Sequence, residues 1–318
     1  MKKVLITGAS GFVGGHLAEH LLTTSDYEIH GTYLSDESMQ HSPVKEKIIF
    51  HKTNLQQKEQ IEKLVQDIKP DLVFHLAAQA NVFTSFKDPI QTLHANIDSQ
   101  VYLLEALRKA NLTETRVLII GSSEEYGYVH PDELPIKEIN PLRPANPYSV
   151  SKITQDYLAI QYHIAYKMLL VRVRPFNHIG IGQKTGFVVT DFAKQIIDIE
   201  KGIIKPMIKV GNLEAKRDFT DVRDMVKAYA LIIEKGEAGE LYNIGSGVSH
   251  KIQEILDILL SLSKVKVTIE IDQSKLRPSD VPEIICDNTK IQAVIEWKPE
   301  IPLEQTLKDI LDYWRNIG

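Results

Sequence analysis

Thr7-Gly8-Ala9-Ser10-Gly11-Phe12-Val13-Gly14 is the stretch that decides the fold. Glycines recur at 8, 11 and 14, after the apolar run Val4-Leu5-Ile6 and ahead of a segment in which Val13, Leu17 and Leu21 are spaced four apart. The first pattern predicts a short buried strand and the second a helix over residues 12–22, which places the glycines in the turn between them. Without Cβ atoms at Gly8 and Gly11, a pyrophosphate can approach the backbone and rest on the helix N-terminus; Gly14 lets the helix pack close to the strand. In this strand-turn-helix context the motif points to dinucleotide binding, with Ser10, Phe12 and Val13 in the same candidate set; the alternative is a tight turn with no ligand.

The alternation continues outward. Short apolar runs at 28–34, 48–50, 72–74, 117–120 and 168–173 predict strands. Amphipathic stretches at 57–68 (stopped by Pro70), 89–109 and 147–166 predict helices. Strands alternating with helices imply right-handed crossovers and an α/β fold, a Rossmann doubly wound parallel sheet that binds ligands at the carboxyl ends of its strands. After Arg174 the pattern loosens to helices at 188–201, 222–235, 250–262 and 303–314 and a strand at 265–271. The expected division is a dinucleotide-binding domain over 1–175 plus roughly 218–246, and a smaller α/β substrate lobe over 176–217 and 247–318.

Composition bounds the function. The 318 residues carry 37 basic and 42 acidic side chains, a net charge of −5, with 43% hydrophobic and 25% charged residues. That is ordinary for a soluble globular protein and excludes a disordered or collagenous chain. The mild acidity argues against a general nucleic-acid binder, and no apolar run is long enough to span a membrane. The one cysteine, Cys286, cannot close an intramolecular disulfide and leaves a structural zinc site short of thiolates, so no metal is expected and Cys286 reads as a packing residue. The apolar run after Met1-Lys2-Lys3 stops at Thr7-Gly8, too early for a secretion signal, so the expected location is cytoplasmic.

The end of the second strand normally marks the cofactor: an acid suits a free ribose 2′-hydroxyl, a base suits a 2′-phosphate. Here it reads Thr32-Tyr33-Leu34-Ser35-Asp36, with no Arg or Lys between Gly31 and Pro43, and Asp36 a residue or two late. Tyr33 and Ser35 are candidate contacts, and NADPH and NADH both stay open.

A second constellation is Tyr148-Ser149-Val150-Ser151-Lys152. Tyrosine and lysine four apart share a helix face. The ammonium is expected to lower the tyrosine pKa, so that the phenol exchanges protons with a sugar carbonyl or hydroxyl near neutral pH. With 12 tyrosines in the chain, roughly one Tyr-x-x-x-Lys arises by chance. The weight rests on location: this helix follows the strand ending in Gly121-Ser122, and Ser122 can donate a hydrogen bond to the same carbonyl. An ordinary amphipathic-helix tyrosine is the alternative.

With these motifs in this order the chain resembles, nearly end to end, the extended short-chain dehydrogenase/reductase family. The resemblance implies a catalytic triad of Ser122, Tyr148 and Lys152. It implies cofactor contacts from Leu76-Ala77-Ala78-Gln79 after the fourth strand, from Asn96, and from Asn54-Leu55, where the family commonly has Asp-Leu. Arg174-Pro175-Phe176-Asn177-His178-Ile179-Gly180, Gly211-Asn212-Leu213-Glu214-Ala215-Lys216-Arg217-Asp218-Phe219 and Leu276-Arg277-Pro278-Ser279-Asp280-Val281-Pro282 are similar to the sub-group acting on GDP-activated 6-deoxyhexoses. It implies a GDP-sugar substrate whose diphosphate is gripped by Arg217 and Arg277, with Ser123, Glu124, Asn177, Lys194, Asn212 and Asp280 contributing. Surface ion pairs of Arg217 with Asp218 or Asp221, and of Arg277 with Asp280, are the bland alternatives.

Glu124 matters for the reaction, because in Ser122-Ser123-Glu124-Glu125-Tyr126-Gly127 it falls where the sub-group's 4,6-dehydratases carry the glutamate that drives elimination. Against dehydration, Ser122 stands where those enzymes have threonine, the loop after His178 lacks their Glu-Ser-Pro-Arg-Arg run, and the second strand lacks their paired arginines. The expected activity is therefore NAD(P)H-dependent reduction of the C4 keto group of GDP-4-keto-6-deoxy-D-mannose to GDP-D-rhamnose. Alternatives are a GDP-mannose 4,6-dehydratase, a nucleotide-sugar epimerase and a non-catalytic dinucleotide-binding regulator. The resemblance also implies a homodimer formed through the helices at 89–109 and 147–166.

Overall fold

The computed structural model describes residues 1–40, 42, 44–276 and 281–317. Its first half runs β1 (Lys3–Thr7), α1 (Phe12–Thr24), β2 (Glu28–Tyr33), α2 (Asp36–Gln40), β3 (Ile49–Lys52), α3 (Lys58–Ile68), β4 (Leu72–His75), α4 (Val82–Lys87), α5 (Pro89–Lys109), β5 (Arg116–Ile120), α6 (Pro147–Tyr166) and β6 (Leu169–Pro175). The second half runs β7 (Asn177–Ile179), α7 (Val188–Glu200), β8 (Met207–Val210), β9 (Lys216–Asp221), α8 (Val222–Lys235), β10 (Leu241–Ile244), β11 (Ser249–Lys251), α9 (Ile252–Ser261), β12 (Thr268–Ile271), β13 (Glu283–Ile284), α10 (Thr289–Ile295) and α11 (Leu303–Ile317).

Seven strands form one parallel sheet in the order β10-β6-β5-β4-β1-β2-β3. The order reverses between β1 and β4, which opens a crevice at their carboxyl ends. This is the doubly wound Rossmann sheet. Val4, Ile6, Phe74, Leu118 and Val173 point to one face, where α1 and α8 bury Leu17, Leu21, Met225, Tyr229 and Ile232. Leu5, Val73, Val117 and Leu170 point to the other, under Ile61, Leu104, Leu107 and Ala159 of α3, α5 and α6. Side chains that alternate between two covered faces explain why these strands are apolar runs. Each buried aliphatic contributes about 1.5–3 kcal/mol.

After β6 the chain leaves this sheet. β11, β9, β13 and β7 form a second sheet, and β12 pairs with β8. A separate core, including Phe192, Ile196, Ile208, Phe219, Leu256 and Ile310, joins α7, α9 and α11 to them. The chain returns to the main sheet for α8 and β10 before leaving again.

Several elements differ from the sequence expectation. The third strand is 49–52 rather than 48–50, and the expected strand at 265–271 is formed only over 268–271. The seventh strand, β10, was not anticipated: Leu241-Tyr242-Asn243-Ile244 carries a buried polar Asn243, which breaks up an already short apolar run. Among the described residues no helix is long and apolar enough to cross a membrane.

Candidate active site

The glycine turn has the expected shape for a reason that can be measured. Gly8 has φ +73°, and a Cβ on Gly14 would lie 2.3 Å from the Gly8 carbonyl oxygen and 2.7 Å from Ala9 Cα. A Cβ on Gly8 would lie 3.1 Å from Ala77 Cα, so the turn also fits under the loop after β4. Gly8 N–H donates to Thr32 Oγ1 (2.9 Å), which ties the turn to β2. α1 begins without a side-chain cap and without an acid in its first turn. Its N-terminal amides therefore face outward unopposed, in a cradle with the shape and sign for a pyrophosphate. Phe12 stacks on His178 at 6.3 Å, and His16 Nε2 lies 2.8 Å from the Ile181 oxygen. These contacts bring the loop after β7 against the start of α1. Val13 is part-buried in the core.

The far edge of this site is built by hydroxyls and one lysine. Ser10 Oγ donates to Ser38 Oγ (3.1 Å), and Ser38 Oγ to the Ser35 oxygen (2.7 Å). Tyr33 meets Phe50 edge-on at 6.0 Å. On the neighbouring strand, register pairs Tyr33 with Lys52, whose Nζ reaches Asp36 Oδ2 at 2.8 Å. Asn54 turns its oxygen to the Gln56 amide (3.0 Å), and Leu55 packs on the core under α3.

The loop after β4 is held from two sides, by Thr7 and by Asn96. Ala77 N–H donates to Thr7 Oγ1 (3.1 Å). Gln79 N–H donates to Asn96 Oδ1 (2.7 Å), and Asn96 Nδ2 returns to the Gln79 oxygen (3.1 Å). Leu76 packs on the sheet core, and Ala78 lies between these anchors. His75 is fully buried beside Thr7 Oγ1 (3.0 Å); burial drives its pKa down to about 3, so it stays neutral.

Ser122, Tyr148 and Lys152 converge at the carboxyl end of β5. Asn146 caps α6, accepting from Ser149 N–H at 2.8 Å, and Pro147 starts the first turn. This sets the phase that turns Tyr148 and Lys152 inward, where both are buried. Lys152 Nζ lies 5.9 Å from the Tyr148 ring centre and donates to the Ile120 oxygen and Gln155 Oε1, both at 2.9 Å. Burial lowers its pKa to about 8.

The expected effect of this lysine on Tyr148 is not what the structure has. Burial pushes the phenol well above its ordinary value, the carboxylates of Glu124 and Glu125 add to that, and contact with the Ser122 side chain opposes it. Lys152 spends its bonds on a carbonyl and an amide instead. Tyr148 is thus held protonated, as a proton donor must be.

Beneath Ser122 lies a buried ionic network that sequence reading missed. Ser122 N–H donates to Glu125 Oε1 (2.8 Å), and Arg174 Nε donates to Glu125 Oε2 (2.7 Å). Arg174 Nη2 also bonds Asp156, which takes a second bond from Arg172 Nη1 (2.7 Å). Burial lifts the Glu125 pKa to about 7, against the pull of Arg174. The local pattern Ser122-x-x-Glu125 is that of a capping box, but it gives no sign of the buried network, because the Arg174 partner is 49 residues away.

A cavity opens beside the triad, lined by Val82, Phe86, Ser123, Glu124, Asn146, Asn177 and Arg217 among others. Asn146 Nδ2 donates to Glu124 Oε2 (3.1 Å). Arg217 Nη1 donates to the Lys216 and Val281 oxygens, both at 2.8 Å. Asp218 is occupied by Ser246, Gly247 and Cys286 amides, and Asp221 by Arg223 and Thr306. Lys194 is not among the lining residues; it pairs with Asp198 one turn along α7 (2.5 Å). Asn212 accepts from Glu214 N–H (3.0 Å) in the turn after β8. Arg277 and Asp280 lie outside the described residues. The short helix α4, which supplies Val82 and Phe86, was not anticipated: six residues are too few for a periodicity.

Comparison with known proteins agrees with this geometry. A family model described as GDP-mannose 4,6 dehydratase matches residues 5–310. The chain is 34% identical to a GDP-6-deoxy-D-mannose reductase of Pseudomonas aeruginosa, covering 99% of this chain and 98% of that one. It is 29% identical to GDP-mannose 4,6 dehydratase 2 of Arabidopsis thaliana, over 98% of this chain and 86% of that one. The solved structure of RMD from Pseudomonas aeruginosa complexed with NADPH superposes with a TM-score of 0.87 at 33% identity, over 99% of both chains. A glycine cradle, a tyrosine–lysine pair and a match of this length place the chain in the GDP-mannose 4,6-dehydratase family.

Proposed function

We propose that the protein is an NAD(P)H-dependent oxidoreductase that reduces the C4 keto group of GDP-4-keto-6-deoxy-D-mannose, giving GDP-D-rhamnose. The observation that carries the reading is a buried, protonated Tyr148 in contact with Ser122, with the adjoining Ser123, Glu124 and Asn146 lining a cavity, together with a glycine turn that leaves out the Cβ atoms a pyrophosphate would meet. The full-length relative named as a reductase supports it. Gly8, Gly11 and Gly14 fit a pyrophosphate by leaving out the Cβ atoms that would fill the cradle. A dinucleotide whose pyrophosphate these glycines held would supply the hydride. Ser122 orients the keto oxygen, and Tyr148 gives the proton that the forming alkoxide needs. Lys152, its ammonium held by the Ile120 oxygen and Gln155, would hold the nicotinamide ribose. Arg217, with Arg277, holds the diphosphate, and Asn177 and Ser123 hold the sugar.

Glu124 supports a second reading. It lines the cavity, held by Asn146, and its charge reaches Tyr148. A carboxyl group there is what elimination across C5 and C6 of GDP-mannose requires. We further read the substrate lobe as residues 176–217 and 247–318. We propose a homodimer through α5 and α6, whose outer faces carry the exposed Ile90, Tyr157 and Ile164. A cytoplasmic location suits the unpaired, buried Cys286.

The test follows absorbance at 340 nm with GDP-4-keto-6-deoxymannose and NADPH or NADH in parallel. Stoichiometric loss establishes the reductase and ranks the cofactors. No loss, with GDP-mannose converted to the keto sugar, makes the protein a dehydratase.

A further inference from the structure

The catalytic lysine is held by a residue that no motif marks. Gln155 sits one turn after Lys152 on α6 and is buried to 1% exposure. Its Oε1 accepts from Lys152 Nζ at 2.9 Å, and its Nε2 donates to the backbone oxygen of Asn96 on α5 at 2.8 Å. One neighbour can only donate and the other can only accept, so the orientation of the amide is fixed by chemistry. The Gln155 backbone oxygen is in turn bonded by Gln100 Nε2 (2.7 Å). Asn96 is the same residue whose side chain clamps Gln79 and bonds Ser151 (2.9 Å). The amide therefore closes an unbroken line of hydrogen bonds from the loop after β4, through Asn96, to the Lys152 ammonium.

We infer that Gln155 is a positioning residue: it sets where the Lys152 ammonium sits and how firmly that ammonium keeps its proton, and it couples both to the loop after β4 through Asn96. The inference rests on the assignment of Lys152 to the catalytic site made above. An amide does this without titrating. A carboxylate in its place would bind the ammonium more tightly but would lose the donor to Asn96. An aliphatic would leave Lys152 with the Ile120 oxygen.

The other charges around Lys152 are accounted for. Glu125, in the turn after β5, favours the ammonium, while burial disfavours it. His75 on β4 is neutral, and Tyr148 on the same helix stays protonated. Arg174 of β6 is engaged with Glu125 and Asp156, and the α5 residues bonded to Gln155, Asn96 and Gln100, are uncharged.

The test titrates Lys152 directly in the cofactor-free protein, by NMR with lysine labelled at ¹³Cε and Lys152→Arg for assignment. The expected midpoint in the parent is about pH 8. Gln155→Leu removes an acceptor of the charged form, and the midpoint falls by about one pH unit; Gln155→Glu adds an anion, and it rises by about as much. Gln155→Met replaces Gln155→Leu if the latter fails to fold. Gln100→Leu, which removes the bond to the Gln155 backbone oxygen but leaves both bonds of its side-chain amide, lowers stability and leaves the midpoint in place. The alkaline limb of kcat/KM with the keto sugar moves with the Lys152 midpoint. Midpoints that stay within about 0.3 units of the parent in the Gln155 variants overturn the inference, whatever their activity. A parent protein that binds NADPH but never turns over a GDP-sugar overturns the proposed function while the titration still decides the role of Gln155.

Discussion

Replacing Arg174 by methionine removes the hub of the buried ionic network while keeping much of its volume. Arg174 is 3% exposed and Glu125 is fully buried. Two carboxylates then lose a guanidinium each. Asp156 keeps its bond from Arg172, but Glu125 keeps only the Ser122 amide. Stripping one partner from a buried ion pair costs about 3–5 kcal/mol. In a chain of this size each kcal/mol lowers the melting temperature by about 2 °C, so the loss is about 6–10 °C.

The cost depends on pH, and the sign is fixed. Glu125 titrates at about 7 in the folded protein against an ordinary 4.5. The folded state therefore binds its proton more tightly than the unfolded state, and stability falls as pH rises from about 4.5 to 7. Arg174 opposes that rise. Without it the carboxyl titrates higher still, so the deficit of Arg174→Met is larger at pH 8 than at pH 5.5. Calorimetry at the two pH values checks this, and Glu125→Gln in the Arg174→Met background recovers part of the loss at pH 8. A loss below about 1 kcal/mol at pH 8, or one independent of pH, would refute the account of the network as a buried charge system.

Three other outcomes follow from the site. Tyr148→Phe removes the proton donor: kcat falls about 10²–10⁴-fold with NADPH affinity unchanged within about twofold, measured by steady-state kinetics and fluorescence titration. Gly14→Ala drives a methyl to 2.3 Å from the Gly8 oxygen, so NADPH binding weakens at least about tenfold in the same titration, by displacing the turn from α1. Asn146→Ala loses the α6 cap and the bond to Glu124; thermal unfolding should show about 1 kcal/mol lost, with kcat falling because the first turn carries Tyr148.

The parallel sheet was legible because its strands are buried on both faces, which turns each into an apolar run such as Leu72-Val73-Phe74. Long helices were legible from periodicity, and α5 and α6 agree with the expected 89–109 and 147–166 to the residue. The strands of two or three residues in the second half, β7, β11 and β13, were not, because they contain too few side chains for any period and exist through pairing with β9. The site divides the same way. The glycines announce themselves by local spacing, and Tyr148 and Lys152 by their place on the helix after the strand that ends at Gly121-Ser122. Glu125, Gln155 and Lys52 act through partners on other elements, so only the folded arrangement reveals them. The relation of Lys152 to Tyr148 was misjudged for a related reason: spacing places two side chains on one face, but burial and competing acceptors decide what the ammonium does.

The late arrival of α8 and β10 bears on how the protein is made. The sheet formed by the strands up to β6 has one face still bare of Met225, Tyr229 and Ile232, and the outer edge of β6 is unpaired until residues 241–244 reach it. A nascent chain leaving the ribosome must therefore complete its outer lobe up to β9 before its first domain can close. Until then it offers a naked strand edge and an open apolar face, the two features that most invite aggregation. The dinucleotide-binding half is thus not a module that can be expressed alone by stopping at residue 175, and nonsense truncations before residue 244 should meet chaperones and proteases rather than yield a weaker enzyme.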